Sequence, residues 1–245
     1  MRVFGIIGYP LTHSFSQKYF TEKFEQEHIS DATFLQFPIE NIDALSGVLL
    51  DHPNLKGFAV TIPHKKSVLQ FLHDATDAVQ EMGAANCILL KDGKLYGYNT
   101  DVVGFEKSFA PLLQPHHTKA LILGTGGAAA AVEYTLRKQG ITYKFVSRTK
   151  SEDNLTYDEL NEEVMQAYTV VINTTPLGTF PKVDEAAAIP YHLLTPRHYL
   201  FDLVYNPAET KFLRLGKEQG AVVKNGHDML IIQAEENWKI WNSNN

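Results

Sequence analysis

Lys65 and Asp101 have the setting in this chain best suited to moving a proton. Lys65 closes Val60-Thr61-Ile62-Pro63-His64-Lys65, and Asp101 lies within Tyr98-Asn99-Thr100-Asp101-Val102-Val103-Gly104. A lysine partly withdrawn from water loses some preference for its charged form, and a nearby carboxylate can hold the ammonium and bond a substrate hydroxyl. The two make a candidate acid–base pair for reducing a ketone or oxidising an alcohol. The sequence assigns the transferred proton to neither of them. Each also has a plainer reading: Lys65-Lys66 as surface charge, and Asp101 as the cap of a helix beginning at Val102.

Hydride chemistry needs a cofactor site, and Gly124-Thr125-Gly126-Gly127-Ala128-Ala129 reads as one. It follows an apolar strand pattern and opens a helical one, the context in which G-x-G-x-x-A marks a dinucleotide loop. Gly124 permits the turn, Gly126 lets the backbone approach a pyrophosphate, and Ala129 lets the helix sit close to the sheet. With Gly127 and Ala128, the helix N-terminus offers N–H groups to phosphate. About 20 residues on, where an NAD site places a carboxylate, the chain has Ser147-Arg148-Thr149-Lys150. Two cations and two hydroxyls suit a 2′-phosphate, so NADP is expected over NAD; solvated loop charges are the alternative.

The elements that must carry these groups are α/β in pattern. Val3–Ile7, Thr33–Phe37, Phe58–Ile62, Asn86–Leu90 and Lys94–Tyr98 read as strands, and Ser16–His28 and Asn41–Asp51 as helices. Ser14 and Ser16 follow the first strand, as substrate ligands or as caps of the next helix. After a polar stretch at Pro111–His117, strands at Lys119–Leu123, Thr142–Ser147, Thr169–Asn173, Tyr199–Val204 and Ala221–Lys224 alternate with helices, including Leu155–Gln166 and Ala208–Gln219. That alternation implies a parallel sheet. Asp228 to Trp241 reads as an amphipathic closing helix. The expected organisation is an α/β substrate domain over residues 1–101 and 227–245, with a Rossmann-type NADP domain over 102–226.

Composition narrows the function. The 245 residues carry a formal charge of −6, which argues against general nucleic-acid binding. No apolar run approaches the ~18 residues of a membrane span, so no membrane partner is expected. The single cysteine, Cys87, fits a reducing compartment, and cytoplasmic is the expectation. The ten histidines show no metal-ligand spacing, so no protein-bound metal is expected.

Taken in order, the strings Ser14-Phe15-Ser16, Val60-Thr61-Ile62-Pro63-His64-Lys65, Gly83-Ala84-Ala85-Asn86 and Asn99-Thr100-Asp101 resemble the shikimate dehydrogenase family. The resemblance continues through Ser147-Arg148-Thr149, Asn173-Thr174-Thr175-Pro176-Leu177-Gly178, Asp202-Leu203-Val204-Tyr205 and Asn225-Gly226-His227 to Gln233-Ala234. It implies reversible NADP-linked reduction of 3-dehydroshikimate to shikimate, on the route to chorismate and the aromatic amino acids. By the same resemblance Ser14 and Ser16 bind the substrate carboxylate, with Tyr205 nearby. Thr61, Lys65, Asn86, Asp101 and Gln233 surround the ring hydroxyls and the reacting carbon, and Thr174 falls on the cofactor side. It also implies that the closing helix returns to the substrate domain. Tyr205 and Gln233 retain a packing role as the alternative. The family usually has Asn two residues before the Thr of V-T-I-P; this chain has Ala59. Dehydrogenation of quinate or a related ring hydroxy acid stays open, as does a non-catalytic NADP-binding regulatory protein, and on any of these readings the chain is expected as a monomer or homodimer.

Overall fold

The computed structural model describes residues 1–11 and 15–243; Ser14 lies outside them. By contact the chain divides into two compact units, Met1–Thr100 with Gln233–Asn245, and Asp101–Ile232.

The first unit holds a six-stranded sheet. Its strands are β1 (Arg2–Gly8), β2 (Ala32–Pro38), β3 (Leu55–Val60), β4 (Asp74–Ala75), β5 (Cys87–Lys91) and β6 (Lys94–Tyr98), in the order β2-β1-β3-β5-β6-β4. β1 runs parallel to both β2 and β3, and β5 is antiparallel to β3 and β6. Residues 3–8 of β1 are buried on both faces, as a central strand requires. One face packs against α2 (Leu45–Asp51) and α3 (Asp77–Met82) through Leu45 and Val79, and against the 3-10 turn Ser67–Phe71 through Val68. The other is covered by α1 (Phe15–Gln26), whose Ser16, Phe20, Lys23 and Phe24 recur at helical spacing on its buried side. Phe20 stacks on Phe34 at 4.7 Å between ring centroids.

The second unit takes α4 (Thr100–Phe109) from Asp101 onward and contains β7 (Lys119–Leu123), α5 (Ala129–Lys138), β8 (Thr142–Ser147), β9 (Asn154–Thr156), α6 (Glu162–Ala167), β10 (Val170–Asn173), β11 (Tyr199–Asp202), α7 (Lys211–Glu218) and β12 (Val222–Lys224). The sheet is parallel throughout, in the order β12-β11-β10-β7-β8-β9. Numbered within the unit, that is the 3-2-1-4-5-6 order of a dinucleotide-binding fold, which reverses between its first and fourth strands. Phe105 and Phe109 of α4 stack at 4.8 Å and pack on one face of this sheet.

The chain ends in α8 (His227–Trp241), and the contact division falls inside this helix, six residues beyond the expected boundary at 226/227. Met229 packs into the core of the second unit, whereas Ala234 and Trp241 pack into that of the first. Trp241 lies against Gly57, where a Cβ would stand 2.2 Å from its Cδ1, and donates Nε1–H to the Ile88 carbonyl at 3.0 Å.

Three expectations need correction. Residues 155–166 are not one helix: β9 pairs with β8, Tyr157–Glu159 forms a 3-10 turn, and only then does α6 begin. Thr156 with Glu159 makes a capping box, and Asn161 caps α6 through the Val164 N–H, so two helix starts follow within a few residues. Asp101 is not a cap, because α4 already begins at Thr100 and Asn99 stands just before it. The third strand is Leu55–Val60 rather than 58–62, which leaves Thr61 just past its carboxyl end.

Candidate functional site

In the first unit the expected substrate residues gather around the carboxyl ends of β1 and β3. The loops after these strands are tied by Tyr9 N–H to the Ile62 carbonyl and Thr61 N–H to the Ile7 carbonyl, both 3.0 Å. Lys65 sits half-buried in the turn beyond Thr61, and its carbonyl accepts Ala85 N–H at 2.8 Å. Beneath that turn, buried His64 donates Nε2–H to the Ile39 carbonyl at 2.7 Å. Asn86 is buried at the mouth of β5, and its Oδ1 accepts Thr100 N–H at 2.7 Å. Asn99 donates Nδ2–H to the Ala84 carbonyl at 2.9 Å, fixing the loop that leads into Asn86.

Ser16 and Gln233 are buried on α1 and α8. The two helices are joined by Lys23, which bonds Glu235 at 2.8 Å and Glu27 at 2.6 Å, and by Tyr19 Oη–H donating to Glu235. Burial raises the Tyr19 hydroxyl and the Glu235 carboxylate adds to it. For Glu235, burial works against the charge, but the bonds from Lys23 and Tyr19 hold it below the usual carboxylate range.

In the second unit the glycine loop stands at the reversal of strand order. Gly124 has φ +100°, and a Cβ there would stand 2.8 Å from Thr175 Cγ2. Thr174 latches the loop by donating both its N–H (3.1 Å) and its hydroxyl (2.8 Å) to the Leu123 carbonyl. Gly126 and Gly127 differ: neither has positive φ, and a Cβ at either would meet nothing within 4 Å. Nothing in the protein demands glycine there, whereas a phosphate approaching the backbone does. α5 has no side-chain cap, so its first turn directs N–H groups into this loop. Ala129 is buried, as close packing of α5 requires. The loop therefore fits a dinucleotide pyrophosphate.

The segment expected to take the 2′-phosphate is organised by Asn154. Its Nδ2 donates to Ser147 Oγ at 2.5 Å and to the Thr149 carbonyl at 2.8 Å, and its Oδ1 accepts Ser151 N–H at 2.6 Å. Arg148 stands exposed on this clasped loop and makes no ion pair among the described residues. Lys150 is engaged elsewhere, with its ammonium 2.7 and 2.8 Å from the two carboxylate oxygens of Glu159. Those bonds, with the Thr156 N–H, hold the Glu159 carboxyl down at about 2. At the ends of β10 and β11, buried Asp202 accepts from Asn173 (2.9 Å), Thr210 (2.5 Å) and the Val204 N–H (3.0 Å). Burial still pushes its carboxyl up to about 6. Tyr205 follows in a half-buried position that raises its hydroxyl. No His, Cys, Asp and Glu cluster with metal-holding geometry occurs among the described residues.

Residues 6–88 match the family model described as the shikimate dehydrogenase substrate binding domain. Over 98% of its length the chain is 36% identical to the shikimate dehydrogenase (NADP(+)) of Ignicoccus hospitalis, covering 92% of that protein. The chain belongs to the shikimate dehydrogenase family. The shikimate dehydrogenase structure from Aquifex aeolicus superposes with a TM-score of 0.86 at 33% identity, covering 100% of this chain and 93% of that one. The Thermus thermophilus enzyme in complex with NADP(H) and shikimate gives 0.85 at 27%, covering 100% and 94%.

As a shikimate dehydrogenase family member the chain places Ser16, Thr61, Lys65, Asn86 and Gln233 in one unit. Asp101, Tyr205, Thr174, the glycine loop and the Arg148 segment belong to the other. Ala59, where the family usually has Asn, lies in the apolar cluster with Cys87, Ala234 and Trp241. Four residues escaped the sequence reading: Asn154, Glu159, Asp202 as a buried carboxylate, and Asn237. Three left a trace in the sequence: Asp202 opens the string Asp202–Tyr205, Glu159 stands at capping-box spacing from Thr156, and Asn237 is a polar residue four positions after Gln233 on the closing helix.

Proposed function

We propose that this chain catalyses the reversible, NADP-linked interconversion of 3-dehydroshikimate and shikimate. The observation that carries the reading is the glycine loop at the strand-order reversal: Gly126 and Gly127 leave room that only a ligand requires, and Arg148 stands exposed where an NAD site has a carboxylate. Gly124, Gly126, Gly127 and Ala128 would hold the pyrophosphate. Ser147, Arg148 and Thr149 would hold the 2′-phosphate, with Thr174 fixing the loop. NADPH, when bound, supplies the hydride that a ring ketone accepts.

The protein's own residues handle the substrate and the proton. Ser14 and Ser16 take the substrate carboxylate, with Tyr205 assisting, and Thr61, Asn86 and Gln233 bond ring oxygens. Lys65 and Asp101 share the proton that passes to the new hydroxyl in reduction and leaves it in oxidation. The turn geometry supports Lys65 in this role: the His64 anchor and the Ala85 bond fix the backbone from which its side chain extends. With one cysteine in the chain, a reducing compartment is the natural setting, and we place the activity in the cytoplasm.

The decisive assay follows NADP+ reduction with shikimate and, in parallel, with quinate. Turnover of shikimate in clear preference is the expected result, and NADPH binding without turnover of either overturns the enzymatic reading. Lys65→Ala should lower kcat by about 10²- to 10⁴-fold while NADPH affinity holds. Equal loss of both would remove Lys65 from the chemistry.

A further inference from the structure

Asn237 is wholly buried on α8, one turn beyond Gln233, and its amide is bonded at both ends. Its Oδ1 lies 2.6 Å from Thr100 Oγ1, and its Nδ2 lies 3.5 Å from Gln233 Oε1. Thr100, itself buried, also donates its N–H to Asn86 Oδ1 at 2.7 Å. All four residues belong to the first unit.

Proton counting fixes the direction of this chain of bonds. A peptide N–H can only donate, so Asn86 must turn its oxygen toward Thr100 and its Nδ2 away. The threonine hydroxyl has one proton. Two acceptors lie within its reach, Asn237 Oδ1 at 2.6 Å and Asn86 Oδ1 at 3.2 Å; the shorter separation suits an O–H donor and Asn86 Oδ1 already takes the Thr100 N–H, so that proton goes to Asn237 Oδ1. Asn237 then has only N–H to offer Gln233, and Gln233 must turn Oε1 inward and Nε2 outward.

We infer that Thr100 and Asn237 form an orienting relay that presents Asn86 and Gln233 to the substrate as hydrogen-bond donors. Asn237 is its positioning residue for Gln233. This rests on the proposed function and deepens it: the relay selects a ligand whose ring oxygens accept hydrogen bonds, and disfavours one offering only donors there. An amide left unoriented presents oxygen or nitrogen indifferently, and its oxygen set against a ring carbonyl, or a hydroxyl whose proton is already committed, leaves two acceptors face to face.

A double-mutant cycle tests this. Asn237→Ala should raise the KM for shikimate about five- to tenfold, the size of one hydrogen bond. The KM for NADP+ should stay within twofold, and the emission of Trp238 and Trp241 should be unchanged. In a Gln233→Ala background the same substitution should have no further effect on the KM for shikimate. Asn237→Asp adds a pH signature. Ionised, it offers Gln233 only an acceptor and turns the glutamine around; protonated, it can donate again. Its KM for shikimate should therefore fall toward that of the wild type as pH is lowered, a limb the wild type lacks.

Equal effects of Asn237→Ala with and without Gln233, or an unchanged KM for shikimate in a folded variant, would overturn the relay alone. If the buried charge keeps Asn237→Asp from folding, the alanine cycle decides. A wild type that turns over no shikimate overturns the functional reading and the relay with it.

Discussion

The two units solve one problem, holding polar groups rigid at the carboxyl ends of strands, by different chemistry. The first unit aims Asn86 and Gln233 with neutral partners, Thr100 and Asn237. The second ties the ends of β10 and β11 together with a buried carboxylate, Asp202, and balances one of its loop cations with Glu159. Neutral bonds hold equally at every pH at which the backbone survives. A buried carboxyl does not, so pH should loosen the cofactor unit and leave the substrate relay alone.

The largest expected effect comes from Asp202. Its folded carboxyl titrates at about 6 because burial disfavours the charge, against ~3.9 in an unfolded chain. The folded state holds the proton more tightly. Its contribution to stability is therefore complete below about pH 4 and is lost as pH rises to about 6, some ~3 kcal/mol in all. Asp202→Asn should flatten that slope, read by hydrogen exchange at Ile172 and Phe201 at pH 4.5 and pH 7.5. Parallel pH dependence in the two proteins would make the contrast between the units false.

Arg148→Ala should weaken NADP binding by about 10- to 100-fold, as loss of charge-assisted bonds to a phosphate predicts. NAD binding should be unchanged, and an equal loss for both cofactors would take Arg148 off the 2′-phosphate. Gly126→Ala should cost about tenfold in NADP affinity with no change in Tm, since its Cβ enters open space. A lowered Tm would show that the glycine serves the fold instead. Lys150→Ala is the smallest, within about threefold for NADP, because its exposed charge is already spent on Glu159. A loss matching that of Arg148→Ala would show that the cofactor outcompetes Glu159.

What the sequence made legible was local. Strand-end strings such as Val60–Lys65 and Gly124–Ala129 carry turn chemistry and charge within a few residues, and the strand–helix alternation implies the parallel sheet of the second unit. What stayed hidden depends on distant partners. The short pieces between Asn154 and Ala167 mimic one apolar-periodic helix until the caps at Thr156 and Asn161 are seen to act. Lys150 reads as a phosphate ligand until Glu159 is found beside it. Asn237 is one polar letter on a helix, and only its closeness to Thr100, 137 positions earlier, gives it a task. Ala59 shows the converse: where the family usually has Asn, β3 carries an apolar residue packed with Ala234 and Trp241 of α8.

The course of α8 bears on how the chain is made. Residues 101–232 form a continuous stretch with their own core, so the second unit can fold while translation continues. The first unit cannot finish with it: the face bearing Phe4, Phe20 and Phe34 waits for Trp238 and Trp241, which are translated only after the whole of the second unit. Until then the amino-terminal half carries an uncovered aromatic surface, the kind of transient apolar exposure that makes folding intermediates prone to aggregate.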